Sequence, residues 1–191
     1  MDLILASASP RRAELLRQLG LSFEIHAADI DETLNVNEAA LDYVLRMALT
    51  KGQVVSEHYS ADAVVIAADT VVCLEQNIMG KPKNQIDGES MLMQLSAKTH
   101  NVHTALAVLH QHDCRYSICS SEVTFRALTR QEIERYWQTG EPTDKAGGYA
   151  IQGLAARFIQ HLTGSYSGVM GLPLYELDQL LEPVLMAAEN K

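Results

Sequence analysis

The sequence predicts an α/β protein built on a mixed, twisted sheet flanked by helices. Short, wholly apolar runs such as 3–6 and 63–68 alternate with segments whose apolar residues recur at helical spacing. Two long strand-like stretches, 98–109 and 115–128, are joined by His110-Gln111-His112-Asp113 and read as a hairpin in the middle of the chain. A purely parallel, doubly wound sheet would not contain that hairpin. The 191 residues suffice for one domain, or for two small lobes on a shared sheet, but not for two independent domains. A single domain over 1–191 is therefore expected.

The elements follow in order. Residues 3–6 read as a buried strand that breaks at Ser7-Ala8-Ser9-Pro10. Pro10 suits the first turn of a helix and Ser9 its N-cap; Leu15, Leu16 and Leu19 form the apolar stripe, and Gly20 stops it. Residues 22–27 look like a second strand, followed by the acidic Asp29-Ile30-Asp31-Glu32. Asn37 is placed to cap a long helix reaching about Tyr59, with Lys51 on its apolar face and Gly52 beside it. That glycine marks either a close backbone approach or a weak helix. Residues 63–68 form a buried strand ending in Asp69-Thr70, continued by 71–74 and a turn at 75–77. A short helix over 86–95 precedes the hairpin. Thr129-Arg130-Gln131-Glu132 is a capping box opening a helix that Gly140 ends. Residues 141–153 read as a Gly-rich loop, 155–162 as a strand, 164–171 as a second Gly/Ser loop, and 175–188 as a closing helix bent at Pro183.

Composition narrows the function. A net charge of −9 argues against a nucleic-acid coat or an anionic membrane as the main partner, while leaving room for a small anion held by a local cation cluster. No apolar run approaches a membrane span, and residues 2–6 are too short and too acidic for a signal peptide, so a cytoplasmic protein is expected. Three cysteines without a C-x-x-C predict neither a disulfide framework nor a cysteine-based zinc site. The His100/His103 and His110/His112 pairs lack a convincing metal-ligand partner, and no G-x-S-x-G elbow is present.

Three segments carry candidate chemistry. Ser7-Ala8-Ser9-Pro10-Arg11-Arg12 puts hydroxyls and guanidiniums where a strand feeds a helix, a natural anion site; a capped helix with two solvated arginines reads equally well. Asp69-Thr70 offers a carboxylate at the tip of a buried strand, suited to a base or metal ligand, or to a plain turn. Asp144-Lys145-Ala146-Gly147-Gly148-Tyr149-Ala150-Ile151-Gln152-Gly153 has three glycines around a Tyr and a Gln, the composition of a loop that closely approaches a ligand or of an ordinary surface loop. Lys51 and Lys81 (in Gly80-Lys81-Pro82) add two cations, the first also explicable as a snorkelling lysine.

In their order along the chain these motifs, with Gly164-Ser165-Tyr166 and Gly171-Leu172-Pro173-Leu174, resemble the Maf family of nucleoside triphosphate pyrophosphatases over nearly the whole length. The resemblance implies an inosine-triphosphatase-like architecture of two lobes around a cleft. It also implies a homodimer and a divalent metal, Mg or Mn. Asp69 then corresponds to the catalytic acid residue and a metal ligand, and Glu32 to a second metal ligand. Ser7, Arg12, Lys51 and Lys81 fall in the triphosphate-binding set, and Arg11, Thr70 and Gln152 match the specificity residues of the dTTP/UTP branch. A 7-methyl-GTP branch carries Trp, Gln and Glu at those points. The resemblance also carries an association with cell-division arrest, which leaves a non-catalytic nucleotide sensor as an alternative. Two departures are visible: Gly148-Tyr149-Ala150 where Ala-Tyr-Gly is more usual, and Gly168 where a larger residue is usual.

Overall fold

A computed structural model describes residues 1–111 and 113–189, with side chains placed for all of these except 187–189. His112, in the expected hairpin turn, lies outside the described residues. The elements are β1 (Leu3–Leu5), α1 (Pro10–Gln18), β2 (Glu24–Ile25), α2 (Ala40–Ser56), β3 (Val64–Leu74), β4 (Asn77–Met79), α3 (Gln85–Leu95), β5 (Thr99–His110), β6 (Asp113–Phe125), α4 (Arg130–Trp137), β7 (Ile159–Thr163), α5 (Tyr166–Met170) and α6 (Leu174–Glu189). Among the described residues the strands form one sheet in the order β2-β1-β3-β5-β6-β7, with β4 paired to β3. β1 runs parallel to both β2 and β3, whereas β3/β4 and β6/β7 are antiparallel. The mixed sheet expected from the sequence is present.

Chain contacts divide the protein into two compact units. The first comprises Met1–Asp69, Thr104–Cys119 and Gly171–Lys191; the second comprises Thr70–His103 and Ser120–Met170. In the first, Ile4 of β1, Ala6 just beyond it, and Val65 and Ala67 of β3 pack with Val55 of α2. Every residue of β1 is buried, and so are all of β3 except Thr70, as the continuous apolar runs require of strands covered on both faces. Gly52 resolves the question that the sequence left open. A Cβ there would meet Leu109 and lie 3.4 Å from the Ala67 Cβ, so the glycine lets α2 approach the sheet closely.

The second unit has its own core, in which Leu92, Leu95, Val123, Ile133 and an aromatic chain meet. Phe125 contacts Tyr149 edge-on at 4.8 Å between centroids, and Tyr136 meets Phe158 at 5.2 Å. Gly88 of α3 faces the Trp137 ring of α4, where a Cβ would collide. The predicted capping box at Thr129 and Glu132 is fully formed.

Several elements differ from expectation. Asn37 caps nothing: it adopts φ 60, and α2 starts after Ala39. Ser9 occupies the N-cap of α1 without a side-chain cap bond; its own N–H donates to Ser7 Oγ at 3.2 Å. The second strand shrinks to Glu24–Ile25, which is exposed and pairs along β1 alone. Residues 154–158 form a 3-10 turn rather than the first half of a strand. The second Gly/Ser loop contains the short helix α5, whose Gly168 N–H donates to Ser165 Oγ. The expected turn after β3 is present, with Glu75 at φ 56, but the chain leaving it forms the strand β4 where a loop was expected.

The second unit also contains a pH-sensitive core group. His100 is 1% exposed, its Nε2 lies 2.8 Å from the Tyr149 hydroxyl, and burial pushes its pKa down to about 4 from 6.5. The folded state thus disfavours the protonated imidazole. This stability is complete above pH 6.5 and is lost as pH falls from 6.5 toward 4, by up to roughly 3 kcal/mol. Glu38 and Glu132, held near 2 by hydrogen bonds from Arg46 and Arg126, act in a lower window, between 4.5 and 2. Urea unfolding across pH 7 to 4.5 should show the decline in the wild type and a clearly shallower one in His100→Gln, the remainder coming from His103, whose pKa burial also lowers.

Candidate active site

The first unit gathers charge where β1 leads into α1. Ser7 is 6% exposed, and its Oγ accepts from Arg12 Nη1 at 3.2 Å as well as from Ser9 N. Arg12 Nε donates to the carbonyl of Gly171 at 2.8 Å. Gly171 has φ 111, a conformation that favours glycine, and its carbonyl fixes one edge of the guanidinium. Burial lowers the Arg12 pKa; Asp69 and Glu32 oppose that shift, and the like charge of Arg11 adds to it. A guanidinium remains charged through any such shift, so Arg12 is a desolvated, permanently cationic donor.

Lys51 answers for its place on the apolar face of α2. It is 8% exposed, and its Nζ lies 2.7 Å from Asp69 Oδ1 and 2.6 Å from Glu32 Oε1. The apolar stem lies in the core and the ammonium bridges two carboxylates. Gly52, next in the chain, permits the approach of α2 that brings Nζ to Asp69.

Asp69 is 9% exposed, but it does not stand at a strand tip. The eleven residues of β3 run straight through it. β3 pairs with β1 at Val64–Ile66 and with β4 at Val72–Leu74, and Asp69 falls between these registers. A strand interior places the carboxylate more rigidly than a tip would.

Glu32 lies outside helix and strand, and α2 holds its segment. Tyr43 Oη donates to the Glu32 carbonyl at 2.9 Å, and Arg46 Nη2 to the Thr33 carbonyl at 3.1 Å. Arg46 also forms an ion pair with Glu38 at 2.6 Å. Burial, reinforced by the charges of Asp69 and Glu32, pushes the Tyr43 pKa up to about 12. Tyr43 was not among the sequence candidates. Its signal was there: Tyr43, Met47 and Lys51 recur every fourth residue and share one helix face.

Arg11 is half-buried in α1. Thr70, Lys81 and Gln152 belong to the second unit, with Thr70 half-buried in β3 and the other two exposed. Two predicted motifs meet there: Gly147 N–H donates to the Gly80 carbonyl at 3.0 Å, and a Cβ on Gly147 would strike Val72 at 2.9 Å. The unusual Gly148 has φ 70, so the glycine suits the backbone this chain adopts.

Glu32 and Asp69 already converge on one cationic centre, so their donor chemistry suits a divalent ion. Among the described residues no group of three or more His, Cys, Asp or Glu side chains could hold a metal.

A guanidinium, an ammonium and two carboxylates converging on an α/β scaffold define a class: proteins equipped to hold a polyanion beside acid groups. The chain belongs to the Maf family, whose family model, described as Maf-like protein, matches residues 2–184. It is 46% identical over 185 residues to a protein of Vibrio parahaemolyticus named dTTP/UTP pyrophosphatase, covering 97% of this chain and 98% of that one. A Pseudoalteromonas atlantica protein of the same name is 47% identical over 190 residues, covering 98% and 99%. Another from Colwellia psychrerythraea is 48% identical over 183 residues, covering 94% and 86%. Among solved structures, a nucleoside-triphosphatase, or dITP/XTP pyrophosphatase, of Mycobacterium abscessus aligns with TM-score 0.46 and 17% identity over 67% of this chain and 76% of that one.

Proposed function

We propose that this protein hydrolyses dTTP and UTP to the nucleoside monophosphate and pyrophosphate. The observation that carries the reading is the contact of Lys51 with both Asp69 and Glu32, in the same unit as the Ser7–Arg12–Gly171 arrangement. The relatives' names supply the substrate class.

Arg12 and Lys51 bind and neutralise the phosphate oxygens, Ser7 orients Arg12, and the family resemblance assigns Lys81 to phosphate binding as well. An ammonium has three N–H donors, so Lys51 can engage a phosphate oxygen while holding its carboxylates. Asp69 accepts a proton from water as the water oxygen bonds to the α-phosphorus. The bond from that phosphorus to the α–β bridging oxygen breaks, and the electron pair leaves with pyrophosphate. A divalent cation held by Glu32 and Asp69 would supply Lewis-acid polarisation. Arg11, Thr70 and Gln152 take the specificity roles. A Gln amide pairs its acceptor with a pyrimidine N3–H and its NH₂ with the neighbouring carbonyl; guanine presents two adjacent donors that suit a carboxylate instead.

The same reading includes a cytoplasmic homodimer. Its support is the family resemblance; separately, among the described residues no helix is long and apolar enough to cross a membrane.

The test is product analysis with dTTP and Mg²⁺ or Mn²⁺. Thymidine monophosphate and pyrophosphate in equal amounts are expected. Release of orthophosphate and the diphosphate would place cleavage at the wrong anhydride and refute the reading.

A further inference from the structure

We propose that Tyr136 and Glu141 are positioning residues for base selection, acting through the turn that presents Gln152. The inference rests on the pyrimidine reading of Gln152 given above.

Gly153 N–H donates to the Ala150 carbonyl at 3.1 Å, closing a tight turn with Ile151 and Gln152 at its centre. Ile151 is buried and Gln152 is exposed, so the turn presents the amide side chain to the outside. An exposed turn with a flexible side chain discriminates poorly unless its backbone is held.

Both ends of this turn are held by one hydrogen-bonded chain. Ala150 N–H donates to Tyr136 Oη at 3.2 Å. Tyr136 Oη donates in turn to Glu141 Oε1 at 2.7 Å. On the far side, Leu154 N–H donates to Glu141 Oε2 at 2.9 Å, and Ala155 N–H to Oε1 at 3.4 Å. The carboxylate thus receives three donors and ties the residue before Ile151 to those after Gly153.

Gly153 itself is part of the device. A Cβ there would run into the Glu141 carboxylate, which its three donors prevent from moving aside. Tyr136 is fully buried against Phe158 and gives the chain a fixed base. The turn thus hangs on a buried phenol and on a carboxylate that accepts three hydrogen bonds; together they fix where the Gln152 backbone sits.

The experiment uses three variants and two readouts. Tyr136→Phe keeps the ring packing and removes the acceptor for Ala150 N–H and the donor to Glu141. Glu141→Gln leaves one acceptor oxygen for three donors. Gln152→Ala removes the reading group itself. Steady-state kinetics with dTTP are compared with competitive inhibition by inorganic tripolyphosphate, which has no base. For Tyr136→Phe the KM for dTTP should rise roughly tenfold with little change in kcat, and Glu141→Gln should do more. Tripolyphosphate inhibition should stay within about twofold of wild type, because the phosphate side is untouched. Combining Tyr136→Phe with Gln152→Ala should add nothing beyond Gln152→Ala, since both act through one side chain.

Parallel losses for dTTP and tripolyphosphate would show a general structural role and overturn the proposal. So would an unchanged dTTP KM in Tyr136→Phe while Gln152→Ala is impaired. If Gln152→Ala leaves the dTTP KM unchanged, the pyrimidine reading of Gln152 fails, and the positioning role falls with it.

Discussion

Asp69→Asn is expected to cut pyrophosphate release from dTTP by a hundredfold or more, the order of a lost general base. The substitution is close to isosteric, and its amide can still accept a hydrogen bond from Lys51 Nζ, now 2.7 Å from Oδ1. The fold should therefore survive, and KM should move less than kcat. The large effect follows from chemistry: an amide oxygen cannot take up the proton of the attacking water. The carboxylate also stands in the interior of an eleven-residue strand, which leaves it little freedom to be replaced by a neighbour. Glu32 also pairs with Lys51 Nζ, and its segment is held by bonds from Tyr43 and Arg46 rather than by a strand. A folded Asp69→Asn protein with near-normal turnover would move the catalytic role elsewhere.

Lys51→Met is expected to lower kcat/KM about ten- to a hundredfold for every nucleotide tested, and by a similar factor for each. That range corresponds to losing a charge-assisted contact worth roughly 1.5–3 kcal/mol. Methionine preserves the apolar stem packed under α2 and removes only the cation. Two carboxylates that share one ammonium would then face the substrate's phosphates with that ammonium's compensation removed. Phosphate contacts carry no base information, so dTTP, UTP and purine triphosphates should suffer alike. Side-by-side kinetics on these substrates check this; a loss confined to one base would assign Lys51 to base recognition instead.

Much of the site was legible because its residues break local patterns. Lys51 on an apolar stripe, Asp69 ending an apolar run, and paired arginines after Ser-Pro each stood out from their surroundings although a plain structural reading was also open, and each lies in or beside the observed cluster. Periodicity cannot display a contact between distant segments. The Gly171 carbonyl that holds Arg12 lies 159 residues away in sequence, and the glycine showed only as part of a loop. Glu32 could not be placed from local pattern because its segment has no regular structure of its own and is held by Tyr43 and Arg46 from α2. Asp69 looked like a strand end because a polar residue interrupted the apolar run. The strand continues because Val71 to Leu74 restore burial and Val72 to Leu74 pair with β4. The 3-10 turn over Leu154–Phe158 was hidden for a related reason: Leu154 N–H and Ala155 N–H bond to the Glu141 side chain, a partner that alternation along the chain does not reveal.

The central claim, a pyrimidine triphosphate pyrophosphatase, is tested most directly by kcat/KM for dTTP, UTP and 7-methyl-GTP measured side by side with Mg²⁺ or Mn²⁺ on the full chain. Arg11, Thr70 and Gln152 predict that dTTP and UTP are the better substrates, with pyrophosphate released from both. A higher kcat/KM for 7-methyl-GTP than for either pyrimidine would contradict the account.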